Sequence, residues 1–241
     1  MWFEAVFCNK TLEVISYNDL KIAKTLQSIL QKAKAMKPDF DFSAKIKTNL
    51  EFPRNWGLGS SSTLINNIAQ WININAFELL SAFGGSGYDI ACAQYNESIF
   101  YQLEEKTPLV SKANFKPSFA KQLFFVYRNK KQDSKAGIKQ YRELKKDTIL
   151  INDISALSLE LAKSNSLTDF DYLLKQHESI IGNLLNTKPV QQALFKDYFG
   201  QLKSLGAWGG DFMLATGNDD TIAYFKAKGY DTVIAFNDMI L

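Results

Sequence analysis

The sequence predicts an α+β protein built in two domains. Three observations carry that prediction. Strand-like alternation and helix-like spacing are mixed through both halves of the 241 residues. The last thirty residues read strand, helix, strand, as FMLAT, TIAYFKAKG and DTVIAF. The segment KPSFAK at 116–121 separates two stretches that are each long enough to bury a core, giving domains 1–118 and 119–241.

The elements follow in order. WFEAVF and TLEVIS have the pattern of a β-hairpin, and Leu20, Ile22, Ala23, Leu26, Ile29, Leu30 and Ala33 then fall on one face of a helix that stops before Pro38. Residues 44–50, AKIKTNL, alternate as a strand would, and Pro53 ends it. After a glycine- and serine-rich loop, Leu64, Ile65, Ile68, Ala69 and Ile72 mark a helix whose N-terminus lies at the serines. INAFELLSAF is a further short helix ending at Gly84 and Gly85, IACA is a helical turn, and SIFYQL and PLVSKANF read as strands. The second half opens with a buried-looking strand, QLFFVY, followed by helical stretches near 134–146, 149–164, 167–185 and 190–203. Antiparallel sheet is expected in both halves.

Composition narrows the function classes. A hydrophobic content of 46% excludes a disordered chain. No apolar run approaches the roughly 18 residues of a membrane span, and MWFEAVFCNK is not a basic segment leading into an apolar one, so the expectation is a soluble cytoplasmic protein without a membrane partner. Cys8 and Cys92 lie far apart in regular segments and are expected to be reduced core thiols. The net charge of +3 is spread out, and the densest basic run, Arg128, Lys130, Lys131 and Lys135, is short. Nucleic acid is therefore not implied, whereas a small polyanionic ligand is compatible.

The loop NWGLGSSST at 55–63 is the most informative stretch. Gly57 and Gly59 let the backbone approach a ligand, and the hydroxyl and N–H groups of Ser60, Ser61 and Ser62 stand at a helix start, which is the chemistry of an anion site. A P-loop would need a lysine after its second glycine, and a dinucleotide fingerprint a third glycine or alanine with a later acid; this loop has neither. Serine caps on a glycine-rich helix start are the plain structural alternative. Glu78, the stretch GGSGYD ending at Asp89, and a second glycine cluster, KSLGAWGGDF, supply context.

With those segments the chain resembles the GHMP kinases, the family of galactokinases, homoserine kinases, mevalonate kinases and phosphomevalonate kinases. PRNWGLGSSS at 53–62 looks like the family's phosphate-binding motif, and GSGYD at 85–89 is similar to the Ser-Gly-x-Asp stretch of the mevalonate kinase branch, in particular a subgroup marked by GYDIA. LGAWGGD at 205–211 looks like the C-terminal glycine-rich motif. The resemblance implies a two-domain fold, a ribosomal-S5-like N-terminal half and a ferredoxin-like C-terminal half, with ATP and acceptor between them. It also implies an ATP- and Mg2+-dependent transfer of the γ-phosphoryl group to the hydroxyl of a small molecule, mevalonate-like by preference and connected with isoprenoid biosynthesis. A phosphomevalonate or sugar kinase, or a catalytically weak nucleotide- or metabolite-binding protein, are the alternatives. A homodimer is compatible with it.

Residue roles follow from the resemblance. Gly57, Leu58, Gly59, Ser60, Ser61 and Ser62 would cradle the ATP phosphates, with Ser61 and Glu78 as magnesium ligands. Asp89 would take or orient the acceptor's hydroxyl proton, unless it only caps the helix beginning at Ile90. Ser86 and Gly87 would shape the same turn, with Tyr88 packing or touching substrate. Gly206, Ala207, Gly209 and Gly210 would form a second loop facing the transferred phosphate. Lys130 and Ser134 match a Lys and Ser/Thr spacing that faces substrate or phosphate, or belong to a solvated turn; His177 lies in a helix where related kinases line the cleft floor, although a lone helix histidine is more often structural. The chain departs from the family at Asn55, Trp56, Trp208 and Asp211, which stand where small residues are usual. The family's first motif, a strand with a lysine and a Gly-Glu pair, has no counterpart, so the expectation is that such a segment precedes Met1.

Overall fold

The computed structural model of the protein describes residues 3–105, 107–130, 141, 143–144, 147–206 and 210–240. Its architecture is α+β. It divides into two compact units, the first made of Met1–Glu51, Gly59–Tyr95 and Tyr101–Val110 and the second of Phe52–Leu58, Asn96–Phe100 and Ser111–Leu241.

In the first unit, β1 (Ala5–Phe7) and β2 (Val14–Tyr17) pair antiparallel, with Ala5 opposite Tyr17. Helix α1 (Leu20–Met36) begins at Asp19, whose carboxyl accepts the Ile22 N–H at 3.0 Å and satisfies one of the orphan donors of the first turn. Its apolar face, Ala23, Ile29, Leu30 and Ala33, is buried, and so are Ile65, Ile68, Ala69 and Ile72 of α2 (Ser60–Ile72). A 3-10 turn at Ala76–Leu79 runs into α3 (Leu80–Phe83), and α4 (Tyr88–Gln94) closes this core with Ile90. The pattern INAFELLSAF is thus a tight turn followed by one α-helical turn rather than one helix.

No strand forms at 44–50. The alternation is present, but no face of it is buried: residues 43–49 are exposed throughout, with Ile46 58% exposed. Neither cysteine is a core thiol, since Cys8 is half-buried and Cys92 exposed, and both are free.

β3 (Ile99–Glu104) and β4 (Thr107–Lys112) form a two-stranded sheet of their own. The second unit is organised by a four-stranded antiparallel sheet of β5 (Leu123–Tyr127), β6 (Leu202–Ser204), β7 (Phe212–Thr216) and β8 (Val233–Ala235) in the order β6-β7-β5-β8. Between β5 and β6 come α5 (Thr148–Lys163), α6 (Leu167–Leu184) and α7 (Val190–Leu194), between β7 and β8 comes α8 (Asp220–Ala227), and α9 (Phe236–Met239) follows β8. The β-α-β-β-α-β succession with its first strand next to its third and fourth is the ferredoxin-like arrangement.

β5 and β7 are buried along almost their whole length because both sheet faces are covered, which is why they read as continuous apolar runs. Phe124, Val126, Met213 and Ala215 meet Phe195, Tyr198 and Phe225 on one face, and Leu123 and Leu214 meet Phe119, Phe170 and Leu174 on the other.

The helix expected over 190–203 ends at Leu194; residues 195–201 turn back, and only Leu202–Ser204 are strand, in β6. At Gly200 the returning chain passes so close to β7 that a Cβ would overlap the Thr216 carbonyl. Gln191 secures the return, donating to the Gly200 carbonyl at 2.8 Å and accepting the Leu202 N–H at 3.2 Å. The stretch 134–146 lies almost entirely outside the described residues. No described helix is long and apolar enough to cross a membrane.

Candidate functional site

The loop at 53–59 is shaped by its own backbone. Trp56 N–H closes a 3-10 turn on the Pro53 carbonyl at 3.0 Å, and Gly57 and Gly59 take φ of +68° and +74°, a region costly for any residue with a Cβ. Helix α2 starts immediately afterwards with Gly59 at its N-cap and no side-chain cap. Ser60, Ser61 and Ser62 are therefore inside the first turn, not capping it, while Thr63 folds its hydroxyl back to the Gly59 carbonyl at 3.1 Å. Among the described residues no side chain caps the start of this 13-residue helix, since the N-cap is a glycine, and the positive end of its dipole lies there. Ser61 is exposed and Ser62 buried.

The GSGYD turn is held equally tightly within the same unit. Gly87 has φ +88°, and a Cβ there would stand 2.8 Å from the Tyr101 hydroxyl and 3.1 Å from Leu80. Tyr101 donates to the Ser86 carbonyl at 2.7 Å, and its ring meets Tyr88 edge-on at 5.8 Å. The helix begins at Tyr88, so Asp89 lies in the first turn, and no side-chain cap bond ties it there. Capping is not what Asp89 does. Although the residue stands at the surface, lost hydration around the carboxyl pushes its pKa above the usual carboxylate range.

Helices α2 and α4 pack on each other, with Asn66 donating to the Ala93 carbonyl and accepting from Gln94, each at 3.2 Å. The serines and Asp89 are thus carried on neighbouring helices. Glu78 is exposed on the 3-10 turn that Asn75 caps through the Phe77 N–H. Among the described residues, neither Glu78 nor Asp89 forms an ion pair or a side-chain hydrogen bond with Ser60, Ser61 or Ser62, and no cluster of three or more His, Cys, Asp or Glu is poised to hold a metal alone.

In the second unit the first part of the loop meets the other glycine segment. Asn55 and Tyr127 exchange two hydrogen bonds of 3.0 Å, and Trp56 packs edge-on to Phe212 at 5.5 Å. The indole of Trp56 is therefore half-buried packing against the sheet end. The carboxyl of buried Asp211 lies against Gly57, where a Cβ would overlap it, and 3.8 Å from the position a Gly206 Cβ would take. Gly210 is buried beside it. Ala207, Trp208 and Gly209 lie outside the described residues, as does Ser134; Lys130 is exposed at the end of β5.

His177 turns out to be part of a buried polar group. Lys203 Nζ sits 3.2 Å from His177 Nδ1 and 3.6 Å from Glu178 Oε1. Burial, with the Lys203 charge adding to it, holds His177 down to about 4, while burial pushes Glu178 up against the opposing pull of Lys203. Tyr101, Tyr127 and this Glu178–Lys203 pair carry no motif in the sequence. Their roles come from contacts between segments that sequence spacing does not bring together.

No family model matches the sequence, and no curated protein matches it. Among solved structures, the chain is similar to the Lin0012 protein from Listeria innocua, with a TM-score of 0.59 at 15% identity over 95% of this chain and 82% of that one. That likeness is one of fold. A mevalonate diphosphate decarboxylase from Enterococcus faecalis aligns with a TM-score of 0.46 at 13% identity, over 93% of this chain and 77% of that one.

Proposed function

We propose that this chain is a GHMP-type kinase of the cytoplasm that uses ATP and Mg2+ to phosphorylate a hydroxyl of a small metabolite, with a mevalonate-like acceptor favoured. The observation that carries the reading is the start of α2 behind two left-handed glycines, where among the described residues no side chain caps the helix. The serines lie inside the first turn instead of capping it, an arrangement suited to a phosphate cradle, where an outside anion takes the helix N–H groups.

The donor set suits the groups this reading needs. Magnesium takes oxygen ligands and keeps few from protein when phosphates supply the rest, so the exposed Ser61 hydroxyl and Glu78 carboxyl fit without a three-acid cluster. Bound Mg-ATP supplies the transferable phosphoryl group and neutralises part of its charge. Gly57, Leu58 and Gly59 provide close backbone approach, and Ser60, Ser61 and Ser62 orient donors toward phosphate oxygens. Asp89, in no ion pair among the described residues and with its pKa raised, accepts the proton of the acceptor hydroxyl. Gly206, Ala207, Gly209 and Gly210 are assigned to the second loop by the motif match alone.

A second reading, a catalytically weak binder of nucleotide or metabolite, is favoured by Asp211. A carboxyl group pressed against Gly57 places an acid at a loop assigned to phosphates. ADP release with Mg-ATP over a panel containing mevalonate, phosphomevalonate and free sugars separates the two. Alcohol-dependent release supports the kinase, and ATP binding without release supports the weak binder.

A further inference from the structure

A cavity of about 220 Å³ opens in the second unit where the C-terminal end of α6, the start of α7, β6 and the end of β5 meet. Its polar side is formed by Arg128, Lys188, Ser204 and Glu178, and its apolar side by Ile181, Val190 and Ala193. None of these residues has a part in the kinase reading, and all belong to one unit.

The charges do not balance inside it. Glu178 is nine-tenths buried, and Lys203 behind it is its cation at 3.6 Å. Arg128 is half-buried, and among the described residues it makes no ion pair within 4 Å and no side-chain hydrogen bond; Glu178 and Tyr230 act on it only through space. A partly desolvated guanidinium with no carboxylate in ion-pair contact is costly for a fold, and its planar fork of donors matches a carboxylate or phosphate two-on-two. Lys188, exposed at the rim, adds a second cation. Two cations lining the space against one already paired acid leave it electropositive.

We propose that this cavity is a binding site for a small organic oxyanion, a carboxylate or phosphate monoester on a short apolar body, with Arg128 and Lys188 taking the charged head and Ile181, Val190 and Ala193 the hydrocarbon. Size sets the class. The cavity falls below the roughly 300 Å³ at which drug-sized pockets begin, so it takes a metabolite fragment and not a nucleotide.

Calorimetric titration of the full chain with n-butyl phosphate, and separately with butyrate, tests the site, with n-butylamine as the charge control. Expected is saturable one-to-one binding of at least one oxyanion and none of the amine, and which head binds tighter names the natural one. Arg128→Gln should weaken binding at least tenfold and Lys188→Gln, at an exposed position that folding does not depend on, several-fold. Ser61→Ala should leave it unchanged, which separates this site from the α2 N-terminus. The proposal is overturned if neither oxyanion saturates, if the amine binds as well, or if binding responds to Ser61→Ala and not to Lys188→Gln.

Discussion

Asp211 and Gly57, far apart in the chain, are in contact: the Asp211 carboxyl fills the space where a side chain at residue 57 would begin. The glycine is required twice over, by a φ of +68° and by this neighbour. Gly57→Ala should lower stability by about 1–2 kcal/mol from the left-handed backbone alone, with the overlap adding to it. In an Asp211→Gly background the added part disappears and the backbone part stays. Urea unfolding of the two single variants and the double variant reads that coupling directly.

Asp89 should give opposite pH signatures in activity and stability. As a base it works deprotonated, so kcat/KM rises with pH and levels off above a pKa higher than that of an ordinary carboxylate. Its folded pKa is raised, so its contribution to stability is fully present below the unfolded value near 3.8 and is lost as pH rises through the folded one. Asp89→Asn should therefore cut turnover by about 10²–10⁴-fold while stability at neutral pH holds or improves. A pH–rate profile beside thermal melts at three pH values checks both.

Ser61→Ala and Glu78→Gln should each raise the magnesium concentration needed for half-maximal activity, because the first removes an oxygen ligand and the second replaces a charged carboxylate by a neutral, weaker amide oxygen. Both residues are exposed, so folding stability should move by less than about 0.5 kcal/mol. Unchanged magnesium titrations would assign the two side chains to the surface.

His177 is held neutral in the fold, its pKa lowered to about 4 by burial and by Lys203. The unfolded chain takes up its proton near 6.5, so the stability this group contributes is complete above that pH and is lost as pH falls from 6.5 toward 4. Glu178, with its raised pKa, works in the opposite direction as its own proton goes on. His177→Gln isolates the histidine: its melting temperature should fall less steeply than that of the unmutated chain over this range.

The elements that sequence reveals are those whose periodicity is matched by burial. Helix α1 and strands β5 and β7 are examples, since each has a face, or two, that the core covers. Residues 44–50 have the period without the burial, and 190–203 hide a return to the sheet that rests on Gly200 and Gln191. The sheet order β6-β7-β5-β8 places strands distant in sequence side by side, which no local pattern encodes. At the candidate site the glycines and serines are legible because their backbone needs are local. The Tyr101 bond that fixes the GSGYD turn, the Asp211 contact with Gly57 and the charge imbalance around Arg128 are products of tertiary packing alone.

ADP release by the full chain with Mg-ATP across a panel of alcohols, run beside Asp89→Asn with ATP binding measured on both, tests the kinase reading most directly. Expected is release that depends on one acceptor class and on magnesium, and that falls by orders of magnitude in Asp89→Asn while ATP still binds. Release at an equal rate from both proteins, or no saturable ATP binding by either, would contradict it.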